Sequence, residues 1–401
     1  MAHTVAVLGS WQSDFRTHVN DLTFIEQAQV AALGAYRAAG MSPDDIDAVV
    51  FSLAPTFFLG VADADRWAID SIFAAGKPIF RVHTGGATGG SAVEAAYTLV
   101  RSGMARSVLV VGAERIAETP DAQKVLNLIF DPFYERDMPL STNSLMALRA
   151  TAYLKRHGLT EEDMARVVVR ARRNALKNPH AHLKGEVTIE EVLNSRMIAW
   201  PLKLYDICPR SSGSAAMIVG NLDMAKRFCT RPAFINGIAS VTDTYWMGDR
   251  LTPSGDTDLV DYTLVARAVN ESYRRAGIRD PRREIQVAEL YDPYSFNCST
   301  KLEQAGFCSP GTAMRLEREG AWECDGGLLA VNPSGGTLCT NPIAVTGLVR
   351  CIDAATQVMD RAGPIQVKGV QTALATSSGG AGQFVSSLIF GSAPRAGSPR
   401  H

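Results

Sequence analysis

The sequence contains one local unit twice: a short apolar strand, a turn with paired glycines, and a helix. Residues 80–86 read FRVHTGG and lead into a helix predicted to begin near Gly89. Residues 329–336 read LAVNPSGG and lead into a helix predicted to begin near Thr346. This repetition indicates a duplicated α/β unit, and 401 residues are enough for two halves of similar size.

Predicted strands and helices alternate around this repeat. The strands are residues 4–9, 48–52, 107–112, 214–220, 234–241, 287–292, 372–376 and 384–390, and the helices are residues 24–40, 91–102, 146–157, 160–178, 260–276 and 344–359. Strands that are apolar throughout predict a mostly parallel sheet covered by helices on both faces.

Strand signals are missing between residues 114 and 205, where proline and charge increase. We interpret this segment as a helical insertion whose helices lie on the surface. The predicted division is an N-terminal half, residues 1–228, which contains the insertion, and a C-terminal half, residues 229–401.

Charge and cysteine usage exclude several classes of protein. The net charge is −1, from 40 Lys and Arg against 41 Asp and Glu, which argues against nucleic acid or a membrane as a partner. Residues 1–9 predict a strand and not a signal peptide, and no apolar run is long enough to span a membrane. The seven cysteines include no C-x-x-C pair, so we expect reduced thiols, no metal site and a cytoplasmic location.

Three glycine-rich turns are the candidate binding elements: residues 83–91, 331–336 and 377–382. The first lacks the G-x-G-x-x-G spacing and the following acidic residue of a dinucleotide site. Glycines before a helix let a ligand approach backbone N–H groups at the positive helix end. Tight packing of a strand on a helix is the alternative explanation.

In their order and flanks these turns resemble the thiolase superfamily, in particular its sterol-carrier and lipid-transfer branch, over nearly the whole chain. The thiolase segment N-C-S-T-G-S, which contains the catalytic cysteine, is matched by VHTGGATGGS, with Gly86 at the cysteine position. The N-P-S-G-G and G-H-P segments are matched by NPSGGTLCTNP, with Asn341 at the histidine position. The N-E-A-F segment is matched by YDPY at residues 291–294.

The resemblance implies an α/β thiolase fold: duplicated α/β halves in a five-layer αβαβα sandwich, with a helical loop-domain insertion. It does not extend to the catalytic side chains. A thiolase needs a thiolate and a nearby imidazole to activate it. Gly86 offers no nucleophile, and residues 183–400 contain no histidine.

The resemblance implies that this chain keeps the groups of the family that bind a thioester oxygen. One oxyanion hole of the family is made of backbone N–H groups and matches Gly86 and Gly380. The second matches Asn341 and Tyr291. Such a site stabilises an enolate, which is what retro-aldol cleavage of a β-hydroxyacyl-CoA requires.

Members of the lipid-transfer branch without the cysteine resemble steroid side-chain aldolases, which use tyrosines and work with a small OB-fold zinc-ribbon protein. Tyr291 matches one such tyrosine, whereas the second would fall near Asn341, so half of the signature is present. Tyr294 and His83 are candidates for the remaining proton transfer. Packing of Tyr291 and Tyr294 at a domain seam is the structural alternative.

Three functions are therefore weighed. The leading hypothesis is retro-aldol C–C cleavage of a bulky β-hydroxyacyl-CoA from steroid or aromatic catabolism, with a CoA thioester as substrate and no covalently bound cofactor. The alternatives are a Claisen-type acetyl-CoA acyltransferase that uses Cys339 or another nucleophile, and a non-catalytic acyl-CoA-binding subunit of a thiolase-like complex. The resemblance also implies a homodimer or higher oligomer. Trp67, Trp200 and Trp246 are assigned either to the wall of a wide pocket or to the core.

Overall fold

The computed structural model describes residues 4–55, 58–138, 140–246, 259–260 and 263–395. Its strands are β1 Val5–Gln12, β2 Ala48–Ser52, β3 Ile79–Val82, β4 Ser107–Arg115, β5 Met197–Ala199, β6 Leu202–Lys203, β7 Ser212–Asn221, β8 Ala233–Thr242, β9 Val287–Glu289, β10 Ala330–Val331, β11 Thr372–Gly379 and β12 Phe384–Gly391. Its helices are α1 Phe24–Ala39, α2 Ala64–Trp67, α3 Thr88–Arg101, α4 Ala122–Asn127, α5 Thr142–His157, α6 Glu161–Lys177, α7 Ile189–Asn194, α8 Leu222–Phe228, α9 Leu264–Ala276, α10 Pro281–Glu284, α11 Ser295–Gln304, α12 Ala313–Arg318, α13 Gly336–Cys339 and α14 Thr346–Met359.

The elements lie close to their predicted positions. The predicted first turn of the helix 260–276 includes residues 261–262, which lie outside the described residues. Within the described ranges, no helix is both long and apolar enough to cross a membrane.

The duplication is visible in the pairing of the strands. The large sheet has the order β10-β9-β11-β12-β8-β1-β7-β4-β2-β3, so its two five-stranded halves repeat one another in mirror order. Among the described strands, the pairing of β1 with β8 joins the two halves of the sheet, with Ala6 opposite Phe234 and Val7 opposite Ala233. The division at residue 228 stays a prediction.

The prediction of a mostly parallel sheet is wrong, because the sheet is mixed. Parallel pairing is confined to the three outer strands of each half, β3-β2-β4 and β10-β9-β11. Strands β7 and β12 run antiparallel to both of their neighbours. They are buried along almost their whole length, and a strand covered on both faces is apolar throughout whichever way it pairs.

Helices separate the two halves into five layers. Helix α1 packs on β1, β4 and β7, and α9 packs on β8 and β12. Between the halves, α3 lies against β2 and β4, α14 lies against β9 and β11, and the two helices contact each other. This is the αβαβα order that the resemblance implied.

The two central helices cross at glycines. A Cβ atom added at Gly89 would lie 2.0 Å from the backbone nitrogen of Leu348, and one added at Gly347 would lie 2.7 Å from the backbone nitrogen of Gly90. Because these distances exclude any side chain, the first turns of α3 and α14 lie backbone against backbone.

The insertion is helical as predicted, but α6 is not a surface helix. Its Arg170 side chain is 2% exposed, forms a 2.7 Å ion pair with Glu317 and donates to the carbonyl of Val331 at 2.8 Å. Asn174 donates to the carbonyls of Val331 and Asn332, at 3.2 and 3.0 Å. The insertion therefore supports the N-P-S-G-G turn of the C-terminal half.

Gly89→Ala should lower the free energy of unfolding by about 2–3 kcal/mol, because the methyl group overlaps the backbone of α14. The intrinsic helix preference of alanine, worth about 1 kcal/mol in the opposite direction, is too small to compensate. Denaturant unfolding measures the change. Thr98→Ala, at an exposed position of the same helix, is the matched control and should stay within about 0.5 kcal/mol of the wild type. An equally small effect at Gly89 would contradict the tight crossing.

Candidate active site

A cavity of about 400 Å³ lies at the carboxyl ends of β3, β9 and β11, beside the first turns of α3 and α14. All six residues predicted for the site line it: His83, Gly86, Tyr291, Tyr294, Asn341 and Gly380. Turns that are far apart in the sequence thus meet at one place, because both halves present their strand ends to the same crossing. The catalytic roles of these residues stay predictions.

Tyr291 occupies the space next to Gly86. A Cβ atom added at Gly86 would lie 2.2 Å from the Tyr291 hydroxyl oxygen and 2.5 Å from the carbonyl oxygen of Ser378. The phenol oxygen therefore lies where a cysteine side chain at position 86 would begin. In this position the tyrosine at 291 therefore requires glycine at position 86.

The first and last glycine-rich turns also pack closely. Gly85 and Gly380 have φ values of 62° and 59°, the left-handed region that favours glycine. A Cβ atom added at Gly379 would lie 2.2 Å from the Thr84 carbonyl oxygen and 2.5 Å from the Gly86 nitrogen. Gly86 and Gly380, the predicted backbone donors, thus belong to two turns in direct backbone contact.

The two tyrosines are held in different ways. The backbone N–H of Tyr291 donates to the Thr376 hydroxyl at 3.1 Å, which fixes its chain to β11. The Tyr294 hydroxyl donates to Oδ1 of Asn143 at 2.8 Å, which ties it to α5. Burial raises the pKa of both phenols above the ordinary value, so both are neutral in the free protein near pH 7.

Asn341 does not reproduce the chemistry of a histidine. Its Oδ1 accepts from the Thr346 hydroxyl at 2.8 Å, and its Nδ2 donates to the Cys208 sulfur at 3.0 Å. An amide cannot take up a proton near pH 7, so Asn341 cannot activate the nearby thiol as a base. Burial raises the pKa of Cys208 to about 12.

Cys208 and Lys301 are cavity residues that the sequence did not reveal. Neither residue is among those that the sequence predicts for the site. The sequence signal for Lys301 is its spacing: Tyr294, Asn297, Lys301 and Gln304 follow one helical face, and all four line the cavity. Burial lowers the pKa of Lys301 to about 7.

Cys339, the predicted alternative nucleophile, is placed elsewhere. It is fully buried, is not among the residues that line the cavity, and burial raises its pKa to about 12. Trp67, Trp200 and Trp246 do not line the cavity either. They are 58%, 62% and 49% exposed, so both interpretations offered for them are wrong.

His83 follows β3 and lines the cavity beside the first glycine turn. Burial, with Arg81 nearby, lowers its pKa and favours the neutral imidazole. A neutral imidazole both donates and accepts a hydrogen bond, so His83 is chemically able to relay a proton.

A buried ion cluster supports the N-P-S-G-G turn from within. Arg350 contacts Glu289 at 2.9 Å and Asp353 at 3.0 Å, and it also donates to the Ser334 hydroxyl at 2.8 Å. Ser334 in turn donates to Glu289 at 2.7 Å. Because each buried charge has partners, the cluster fixes the turn without leaving an unpaired charge.

One wall of the cavity is apolar. It consists of Pro55, Phe58, Ile116, Val125, Leu126, Ile129 and Ile343. The opposite wall, from α5 and α11, is more polar and includes Thr142, Asn143, Arg149, Asn297, Thr300, Lys301 and Gln304. Among the described residues, no cluster of three or more His, Cys, Asp or Glu could hold a metal ion.

The family assignment follows from this fold and its turns. Residues 6–220 match the family model of the thiolase N-terminal domain, and residues 249–392 match that of the thiolase C-terminal domain-like family. The chain therefore belongs to the thiolase superfamily, as its glycine-rich segments predicted.

Three relatives illustrate the range of the family. The acetyl-CoA acetyltransferase of Methanothermobacter thermautotrophicus is 30% identical over 388 residues, 96% of this chain and 99% of that protein. The 17-hydroxy-3-oxo-4-pregnene-20-carboxyl-CoA lyase of Mycobacterium tuberculosis is 30% identical over 351 residues, 83% of this chain and 86% of that protein. The solved structure of the Ltp2-ChsH2(DUF35) aldolase has a TM-score of 0.80 at 25% identity and covers 97% of this chain and 98% of its own. The relatives thus include both an acyltransferase and C–C-cleaving enzymes.

Gly86→Ala should lower the free energy of unfolding by about 1–3 kcal/mol, because the methyl group overlaps the Tyr291 hydroxyl and the Ser378 carbonyl. In a Tyr291→Ala background the same change should cost about 1 kcal/mol less, since one of the two overlaps is gone. Denaturant unfolding of the wild type, both single variants and the double variant gives this coupling energy. Strict additivity would show that the phenol does not occupy the space beside Gly86.

Proposed function

We propose that this protein cleaves a C–C bond of a β-hydroxyacyl-CoA by a retro-aldol reaction, without a covalent enzyme intermediate. The observation that supports this most directly is the exchange at Gly86, where the Tyr291 hydroxyl takes the space of a nucleophilic side chain. A site built in this way lacks the means for thiolase acyl transfer at that position and gains a proton-transferring group there.

In the proposed reaction, the phenolate form of Tyr291 accepts the proton of the substrate β-hydroxyl. The oxygen lone pair then forms the C=O bond of the released ketone or aldehyde while the Cα–Cβ bond breaks. The bonding pair passes to the thioester as an enolate, which is protonated at Cα to give a shorter acyl-CoA. Proton and electron counts balance without an oxidant, a reductant or a metal.

The charge that develops in this reaction lies on the thioester oxygen. Gly86 and Gly380 would donate backbone N–H groups to it, and their fixed positions in contacting turns favour such preorganised donors. Asn341 would orient the thioester with its second amide hydrogen. Tyr294 and His83, which also line the cavity, would return a proton to the enolate carbon.

A bulky apolar acyl group fits this cavity best. The wall formed by Phe58, Ile116, Leu126 and their neighbours supplies apolar surface beside the reacting centre. The lyase relative of Mycobacterium tuberculosis acts on a steroid CoA ester, as its name states. We therefore infer a substrate with a steroid-like or aromatic acyl group.

The proposal extends to assembly and location. The aldolase relative is a complex with a DUF35 protein, and we infer that a comparable small zinc-ribbon partner binds this chain. We also expect pairing of two copies through a sheet edge, as the family resemblance implies. Its seven cysteines are all unpaired thiols, which is consistent with a cytoplasmic location.

Tyr291→Phe should reduce lyase turnover by on the order of 100-fold or more, because it removes the group that accepts the β-hydroxyl proton. The assay measures release of a ketone and a shorter acyl-CoA from tertiary β-hydroxyacyl-CoA esters, with and without a co-expressed zinc-ribbon partner. Tyr273→Phe is the matched control: it deletes a buried tyrosine hydroxyl bonded to the Ala305 carbonyl at 3.0 Å, away from the cavity, and should keep turnover. Full turnover in Tyr291→Phe would refute the tyrosine mechanism.

Cys208→Ala separates lyase chemistry from acyl transfer. Cys208 is the thiol that lines the described cavity, and its raised pKa makes it a poor nucleophile. We expect the variant to keep lyase turnover within about threefold, the scale of a small packing change of about 0.6 kcal/mol. Cys339→Ala, which removes a buried thiol outside the cavity, is the control.

The rival functions predict different outcomes in the same assays. An acyltransferase that used Cys208 would lose its activity on Cys208→Ala and on thiol alkylation. A non-catalytic subunit would bind acyl-CoA esters without turnover, alone or with any partner.

A further inference from the structure

Lys301 lies in the wall of the cavity, although lysine is rarely buried. Its side chain projects from α11 and the residue is only 5% exposed. Its Nζ donates to the backbone carbonyl of Tyr291 and lies 5.0 Å from the centroid of the Tyr291 ring. The ammonium group therefore faces both the carbonyl and the π-face of the residue proposed to transfer the proton.

The charged and titratable groups around Lys301 come from several elements. Asp292, in the loop after β9, and Cys298, on α11 itself, each raise its pKa, whereas Arg149 on α5 lowers it. Burial is the largest influence and brings the pKa down to about 7. Lys301 can thus lose or gain a proton near neutral pH.

Holding the Tyr291 carbonyl does not require a charge. A neutral hydrogen-bond donor would be sufficient for that contact. The position of the ammonium over the ring has an additional effect, because a cation attracts a phenolate, with its full negative charge, more strongly than it attracts a neutral phenol.

We propose that Lys301 is a positioning residue of the aldol site, whose ammonium group stabilises the phenolate form of Tyr291 through which C–C cleavage proceeds. This role rests on the proposed function of Tyr291. Lys301 forms no bond to the substrate, and it acts by shifting the balance between phenol and phenolate in its neighbour.

The sign of the pH dependence follows from the proton count of the pair. The reactive form of the pair consists of the Lys301 ammonium and the Tyr291 phenolate. It has one proton fewer than the pair of ammonium and phenol, and the same number of protons as the pair of amine and phenol. The pair loses its first proton near the pKa of Lys301, about 7. Lyase turnover should therefore rise as the pH rises through about 7.

The test compares kcat and KM against pH in the wild type, Lys301→Arg and Lys301→Met. Arginine stays protonated, so the first proton must leave Tyr291 itself, and the rise in kcat should move by more than about one pH unit to higher pH. Lys301→Met should lower kcat near pH 7 by about 100-fold with KM nearly unchanged, because the cation acts on charge in the transition state.

Lys203→Met is the matched control. Lys203 is a buried lysine, 6% exposed, paired with Glu161 and outside the cavity lining, and its loss should leave the pH profile in place. Thermal unfolding tests whether each variant is folded. If Lys301→Met does not fold, the shift of the kcat profile along the pH axis in Lys301→Arg is the deciding measurement.

If Lys301 had a purely structural role, its replacement would lower kcat equally at every pH. If Lys301→Arg keeps the wild-type profile, or if Lys301→Met keeps kcat, the role of Lys301 is overturned while the function of Tyr291 stands. A folded wild type without any lyase turnover would instead overturn the proposed function, and the role of Lys301 with it.

Discussion

The crossing of α3 and α14 is the contact on which the arrangement of this protein depends. Gly89 and Gly347 let the first turns of the two helices meet backbone to backbone. One helix comes from each half, so this approach fixes the distance between two sets of strand ends, whose strands also pair through β1 and β8. The first and last glycine-rich turns, at those strand ends, line one cavity because no side chain separates the helices.

A second steric constraint acts in the cavity, beside position 86. The Tyr291 hydroxyl fills the space beside position 86, and a Cβ atom there would overlap both this hydroxyl and the carbonyl oxygen of Ser378. Replacing glycine with cysteine would therefore not restore a thiolase, since the tyrosine would have to move first. Gly86 and Tyr291 are therefore best considered together. Where a thiolase has a nucleophilic side chain at position 86, this chain has a phenol from the C-terminal half in the same space.

The sequence predicted the parts of this protein that depend on local pattern. The duplicated unit, the family and the meeting of six distant residues in one cavity all followed from short motifs with glycine at defined positions. The direction of β7 and β12 could not be predicted, because burial on both faces gives the same apolar run in parallel and antiparallel strands. The sequence does not reveal Lys301 and Cys208, because their places in the cavity depend on neighbours from other elements and their own sequence surroundings are those of an ordinary helix and turn.

Burial shifts the pKa values of four titratable cavity residues so that their neutral forms are favoured. It raises the pKa values of Tyr291 and Cys208, and it lowers those of His83 and Lys301. A thiolase mechanism needs the opposite, a resident thiolate beside an imidazole, whereas the Cys208 sulfur accepts a hydrogen bond from the neutral amide of Asn341. Fixed backbone dipoles stabilise charge that forms on the substrate. The contacting glycine turns could supply such dipoles, which is the physical reason for proposing enolate formation rather than acyl transfer.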